Sequence, residues 1–298
     1  MTKFLPDPAL FPFKSRWADL ENGSRVHYID EGEGPVLLLL HGNPSWSFLY
    51  RNIIQRLRSQ FRCIAPDLPG FGLSQAADHF GFTAREQAQT IVEFIDHLDL
   101  TGVGVMMQDW GGPIGIFAAE QRPDRIDRLI IGNTFAWPLY DNIGVRVFSM
   151  VMGGPIGRAS TFLFNGVVRF FFTRGVVTKL PPEVWRMYFA PFQARSARRP
   201  TNIFPRQLLA ARPFLTELEN GLPAISNKPA LILWGDSDFA FKERERNRFQ
   251  AAFPNHKSLD LIGAGHFLQE DTPDAISEAI ATWYVADEAG LQRPDAIA

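Results

Sequence analysis

The sequence predicts an α/β protein with a mostly parallel central sheet, helices on both faces and an inserted helical segment. Three observations predict it. Short apolar runs that do not alternate recur along the chain, amphipathic helical patterns separate most of them, and chemistry-bearing motifs fall where those runs end.

Taken in order, "RVHYIDEGEGPVLLLLHGN" reads as a hairpin strand, a Gly-rich turn and a fully buried strand, because "VLLLL" has no polar face to give to water. "SFLYRNIIQRLRS" then carries apolar residues at three- and four-residue spacing, as a helix packed on one side requires. The buried run "FRCIAPDLPG" follows, then the helix "FTAREQAQTIVEFIDHLDL" and the run "GVGVMMQDW". "RLIIGNT", "ALILWGDSD" and "SLDLIGAGH" complete the strands, and "PDAISEAIATWYVAD" is a closing helix. The alternation fails between about Phe135 and Leu215, where "FLFNGVVRFFFTRGVV", "PPEVWRMYFAPF" and "TNIFPRQL" are rich in Phe, Pro and Arg and contain no buried strand. Residues 135–215 are therefore expected to form a helical cap inserted into a core made of 1–134 and 216–298. A parallel sheet receives ligands at the carboxyl ends of its strands, and an aromatic-rich cap would exclude water there.

The chain has 298 residues, enough to bury one large core. Hydrophobic residues make up 46% and charged residues 21%, and the formal charge is -2, so no basic footprint for nucleic acid or an anionic membrane is evident. "RSARRP" is a local basic run, read as a solvated helix end. Cys63 is the single cysteine and stands in an apolar stretch, which rules out an intramolecular disulfide and any cysteine metal cluster. The N-terminus is broken by prolines and lacks the apolar core of a signal peptide, and no run approaches the length of a membrane span. A cytoplasmic protein without a membrane or nucleic-acid partner is expected. Walker, dinucleotide and "HExxH" motifs do not occur, so neither a cofactor nor a metal is expected. Homo-oligomerisation is left open.

The stretch "VMMQDWGGPIG" places Asp109 at the tip of a strand that turns sharply into a helix, where a serine nucleophile more often stands. "HGNPSW", "WGDSD" and "GAGHF" end other strands. Each motif alone is weak, since a lone Asp caps helices and a lone His is commonly structural. Their order, nucleophile then acid then histidine, is that of an α/β-hydrolase triad. Through "HGNPSWSFLYR", "PDLPGFGLS", "QDWGGPIG", "RRPTNIFPRQ" and "GAGHF" the chain resembles the haloalkane dehalogenase family of α/β-hydrolases, in its subfamily III-like form. The resemblance implies an α/β-hydrolase fold, Asp109 as nucleophile, His266 as base, and Trp110 and Asn43 as halide donors. It also implies that a small apolar halogenated substrate, water and halide are the partners.

Chemistry supports those roles independently. A carboxylate displaces halide from saturated carbon without first losing a proton, leaving an alkyl ester. Water activated by a histidine then cleaves that ester. Backbone N–H groups of Asn43 and Trp110 would lie at the oxyanion, and the Trp110 indole N–H and Asn43 amide are neutral, directional donors for halide. The acid behind His266 is read as Asp238, because Asn133, at the position of an alternative acid, carries no charge. Asp236 is read as a turn residue and Trp185 as packing. Phe135, Phe164, Phe170 and Pro205 are expected to line the substrate pocket. The nearest rival is an epoxide hydrolase, whose acids would be cap tyrosines, here Tyr140 and Tyr188. Asn43 stands where those enzymes carry an aromatic residue, which favours halide.

Overall fold

The computed structural model describes residues 4–291. Its strands are β1 (Arg16–Asp19), β2 (Arg25–Glu31), β3 (Val36–Leu40), β4 (Arg62–Pro66), β5 (Val103–Asp109), β6 (Ile126–Thr134), β7 (Ala230–Gly235) and β8 (His256–Leu261). They form one sheet in the order β1-β2-β4-β3-β5-β6-β7-β8. β1 and β2 are antiparallel, β2 runs antiparallel to β4, and every later pairing is parallel. The hairpin partner of β2 is thus β1 upstream, and β4 separates β2 from β3. The Gly-rich turn after β2 is a crossover.

All seven residues of β5 are buried, because helices cover both of its faces. The helices are α1 (Arg51–Leu57), α2 (Ala84–His97), α3 (Gly111–Gln121), α4 (Ile143–Gly153), α5 (Pro155–Phe164), α6 (Gly166–Arg174), α7 (Pro182–Phe189), α8 (Arg199–Ala210), α9 (Arg212–Ile225), α10 (Glu243–Ala252), α11 (Leu268–Asp271) and α12 (Pro273–Leu291). α2 starts in a capping box: the Thr83 hydroxyl accepts from the Glu86 N–H at 3.2 Å while the Glu86 carboxylate accepts from the Thr83 N–H at 2.9 Å. α9 returns to the core, where its Phe214 meets Phe117 of α3 at 5.6 Å.

α4 to α8 fill the interval between β6 and β7. α4 is tied to α8 by the Ser149 hydroxyl, which donates to the Pro205 carbonyl at 2.7 Å. α7 is tied to the core by Tyr188, whose hydroxyl donates to Glu270, a carboxylate also held by Arg51. The Tyr188 ring stacks on Phe172 at 3.9 Å, and Phe172 stacks on Phe267 at 4.4 Å. Phe267 adjoins His266, so the inserted helices bear directly on the loop after β8. Among the described residues no helix is long and apolar enough to cross a membrane, and no cluster of His, Cys, Asp and Glu has the makings of a metal site. Cys63 is buried on β4, and burial pushes its thiol up to about 12.

Candidate active site

Asp109 ends β5 with φ at +52°, a left-handed conformation rare for a non-glycine residue. The chain turns there within one residue and enters α3 at Gly111. The turn closes only because its neighbours lack side chains: a Cβ on Gly112 would overlap the Thr134 side chain, and one on Gly42 would overlap the Asp109 carboxylate. The register shift between β5 and β6 at Gln108 and Asp109 falls at the same point. The strained carboxylate therefore stands at the carboxyl end of the sheet.

Two other loops converge on it. The Asn43 N–H, just after β3, donates to Asp109 Oδ1 at 2.7 Å. From the loop after β8, His266 Nε2 lies 3.4 Å from Asp109 Oδ2, and its Nδ1 lies 3.1 Å from Asp238 Oδ2. His266 and Asp238 are fully buried. Burial opposes a charged imidazole, but Asp238 and Asp109 on either side outweigh it and raise the His266 pKa to about 10. The Ala240 N–H donates to Asp238 Oδ1 at 2.7 Å and fixes that carboxylate. Asp236 is exposed and serves its turn, accepting from the Ser237 hydroxyl and the Gly263 N–H, both at 2.9 Å.

Asn133 lies close by without facing the imidazole. Its amide donates to the Gly265 carbonyl at 2.8 Å and accepts from the Gly235 N–H at 2.9 Å, stitching the ends of β6 and β7 to the histidine loop. Gln108, which the motif reading passed over, has its amide nitrogen 3.2 Å from His266 Nε2 and 3.0 Å from the His266 carbonyl oxygen. Its own Oε1 is buried and unpartnered. The available signal was a lone amide at the end of a fully buried strand, beside the strained acid.

A small cavity of about 40 Å³ lies over Asp109, lined by Asn43, Asp109, Trp110, Val145, Phe148, Phe171, Pro205, Leu208, Ala240 and Phe241. Space of that size holds roughly two or three waters. The Trp110 ring is 2% exposed and packs edge-on to Phe135 at 5.0 Å and Phe204 at 5.2 Å. Its indole N–H has no partner among the described residues, whereas the buried indoles of Trp46 and Trp234 donate to the carbonyls of Met187 and Phe241. The Asn43 side-chain oxygen is buried without a partner as well.

Of the four pocket residues expected from sequence, Pro205 lines the cavity. Phe164 does not: at the end of α5 it is 67% exposed on the outer face, and the expectation is corrected. Phe135 stands behind Trp110, and Phe170 sits one layer back against Phe148 and Phe239. Runs of phenylalanine do not reveal which member faces inward. Val145, Phe148, Phe171, Leu208, Ala240 and Phe241 supply the remaining apolar wall. Trp185 stacks on Phe189 at 5.5 Å, away from the cavity. Tyr140 is half exposed under Arg212 and Tyr188 is committed to Glu270, so neither presents a hydroxyl to Asp109.

Residues 35–273 match the family model of the alpha/beta hydrolase fold. The chain is 45% identical to haloalkane dehalogenase 2 of Mycobacterium tuberculosis, covering 93% of this chain and 97% of that one. It is 31% identical to a cis-3-alkyl-4-alkyloxetan-2-one decarboxylase of Shewanella oneidensis over 90% of this chain and 87% of that one. The crystal structure of haloalkane dehalogenase DbeA from Bradyrhizobium elkani superposes with a TM-score of 0.84 at 28% identity, covering 93% of this chain and 99% of that one.

Proposed function

The chain belongs to the haloalkane dehalogenase family of the α/β-hydrolase superfamily, and from that premise we propose that it hydrolyses haloalkanes to an alcohol and halide through an ester on Asp109. The observation that carries the reading is the Asp109 carboxylate, set between His266 and the Asn43 N–H, with the free indole N–H of Trp110 beside it on one apolar cavity.

In the first step an Asp109 oxygen attacks the substrate carbon, the carbon–halogen bond breaks, and the halide leaves with the bonding pair. Trp110 Nε1–H and the Asn43 amide are the donors that stabilise it, neutral groups that cannot be alkylated by the substrate. In the second step His266 Nε2 takes a proton from water as the oxygen adds to the ester carbonyl. The oxyanion is held by the backbone N–H groups of Asn43 and Trp110. Collapse of that adduct expels the alkoxide, which takes the proton from His266 and leaves as the alcohol; the carboxylic acid left on Asp109 then gives its proton to His266 and on to solvent, which restores the carboxylate.

The two carboxylates around His266 give this sequence its timing. While Asp109 is ionised, imidazolium is favoured. Esterification removes one of the two negative charges, so the His266 pKa falls when a base is needed. On this reading residues 135–215 are the cap and 1–134 with 216–298 the catalytic core. The apolar wall of α4, α6 and α8 desolvates the nucleophile and selects apolar substrates. Epoxide opening is not favoured, because no tyrosine lines the cavity to protonate the leaving oxygen.

The test is halide release from 1-bromobutane and 1,2-dibromoethane by wild type, Asp109→Ala and His266→Phe, with mass spectrometry of the protein. Turnover by wild type, silence of Asp109→Ala, and one halide per His266→Phe chain with an alkyl mass on Asp109 are expected. Carbon dioxide release from a cis-3,4-dialkyloxetan-2-one with no halide from any bromide would move the protein to the activity named for its 31%-identical relative of Shewanella oneidensis.

A further inference from the structure

α4 is apolar on two sides, and the cavity uses only one. Val145 and Phe148 line the cavity, while Ile143, Val147, Met150 and Val151, at i, i+4, i+7 and i+8, are exposed along the opposite face. On α5, the next helix, Ile156, Phe162, Leu163 and Phe164 are exposed as well. Ile156 is 85% exposed and Ile143 74%, so these side chains stand in water rather than at the edge of the core. A run of eight such residues on adjacent helices marks an interaction surface.

Charge accompanies it. Residues 142–215 carry ten arginines and Lys179 against Glu183 alone, a formal +10 in a chain whose total is -2. The near-neutral total conceals this segregation, which is why the composition gave no sign of an anionic partner. Arg158, Arg195, Arg198, Arg199 and Arg206 line one groove of about 930 Å³ that also includes Phe162. Among the described residues none of the five is paired with a carboxylate. Arg158 donates to Asn202 at 3.0 Å, Arg198 donates to the carbonyls of Phe162, Gln193 and Phe192, and the Arg195 guanidinium lies 5.8 Å from the Phe162 ring centroid. Partial burial, with Arg195 and Arg169 nearby, holds the Arg198 pKa below its ordinary value.

We propose that the outer face of α4 and α5, with its arginine groove, docks the protein on the anionic surface of a lipid bilayer. Aliphatic and aromatic side chains that protrude beside guanidinium groups match the two layers of that surface: the acyl boundary takes the apolar groups and the phosphates take the arginines. A second copy of the chain fits poorly, because a two-fold contact sets this face against itself and brings arginine to arginine. Nucleic acid would meet the arginines but leave the isoleucines and phenylalanines without an apolar partner. Docking is peripheral, since no described helix is long and apolar enough to span. It is independent of the proposed reaction, because binding is read without turnover.

The experiment is co-sedimentation of the full chain with vesicles of phosphatidylcholine alone, and with one third phosphatidylglycerol, at about 0.1 M and about 1 M salt, where the screening length falls to about 3 Å. Wild type is expected to partition at least about tenfold more strongly onto the anionic vesicles at low salt, and to lose that preference at high salt. Val151→Glu with Ile156→Glu, and separately Arg195→Gln with Arg199→Gln, should each lower binding about tenfold or more with an unchanged thermal midpoint. All four positions are exposed. Equal binding to both vesicle types, no binding at low salt, or variants that bind like wild type would overturn the proposal. So would sedimentation velocity showing a stable oligomer that Ile156→Glu dissolves.

Discussion

At the residue scale the protein is governed by what surrounds one imidazole. The pKa of His266, about 10, lies above the value of about 6.5 in an unfolded chain, so its ion pairs contribute fully to stability below about pH 6.5. That contribution is lost as pH rises through about 10. A nuclear magnetic resonance titration of the ring should show the high value in the free enzyme and a lower one once Asp109 carries an alkyl group; an unchanged value would remove the timing argument. Asp238→Asn takes away the other carboxylate and should lower the ring pKa in both states. Ester hydrolysis should slow by about 10²-fold or more, read as accumulated alkyl-enzyme in a single-turnover experiment. Trp110→Phe keeps the aromatic contacts with Phe135 and Phe204 and removes the unpartnered N–H. It should cost about ten- to a hundredfold in halide release with little change in thermal midpoint. Asp109, Asp238 and His266 could be picked out in the sequence because each stands at or shortly after the end of a strand and their chain order is that of an α/β-hydrolase triad. Gln108 was not legible in the same way, since an amide in a strand announces a partner without saying which.

At the element scale, the inserted helices are joined to the core by a buried ionic knot rather than by strand pairing. Arg51 on α1 donates two hydrogen bonds to Glu270 on α11, the longer at 2.9 Å, and its guanidinium lies 4.1 Å from the Phe48 ring centroid. Tyr188 on α7 completes the knot, and its hydroxyl is pushed well above its ordinary pKa by burial and by the Glu270 carboxylate. Removing one member of a buried pair strands the other. Arg51→Leu should therefore cost about 3–5 kcal/mol in urea unfolding, and Tyr188→Phe, which leaves the ion pair intact, about 1 kcal/mol. Equal costs would mean that the hydroxyl rather than the charge pair holds α7. The nonalternating runs revealed the parallel strands, because a strand buried on both faces has no polar register. The pairing of β2 with β4 was hidden, since which strand lies on the far side of β2 is chosen by crossover geometry that local sequence does not record.

At the scale of the whole molecule, the balance of charge conceals where the charges lie. Glu120 on α3 is partly buried, and that burial, with Glu217 nearby, raises its carboxyl to about 8. A carboxyl whose folded pKa exceeds its unfolded value is stabilising only while protonated, so stability should decline between about pH 4.5 and about pH 8 through this group. Glu120→Gln should raise the thermal midpoint more at pH 9 than at pH 5; an equal gain at both would reject that account. The sequence by itself determined the layered α/β plan, the strand tips that bear Asp109, Asp238 and His266, and the stretch from Phe135 to Leu215 that breaks the pattern. Those features depend on local periodicity and on turn chemistry, which neighbouring residues specify. Only the tertiary structure decided that Phe148 and Phe171 face the cavity while Phe164 faces water, that Asn133 bonds the Gly265 carbonyl and the Gly235 N–H, and that arginines far apart in the chain share one groove. Each of those outcomes depends on which helix packs against which, a choice made by side chains distant in sequence competing to bury the same surface.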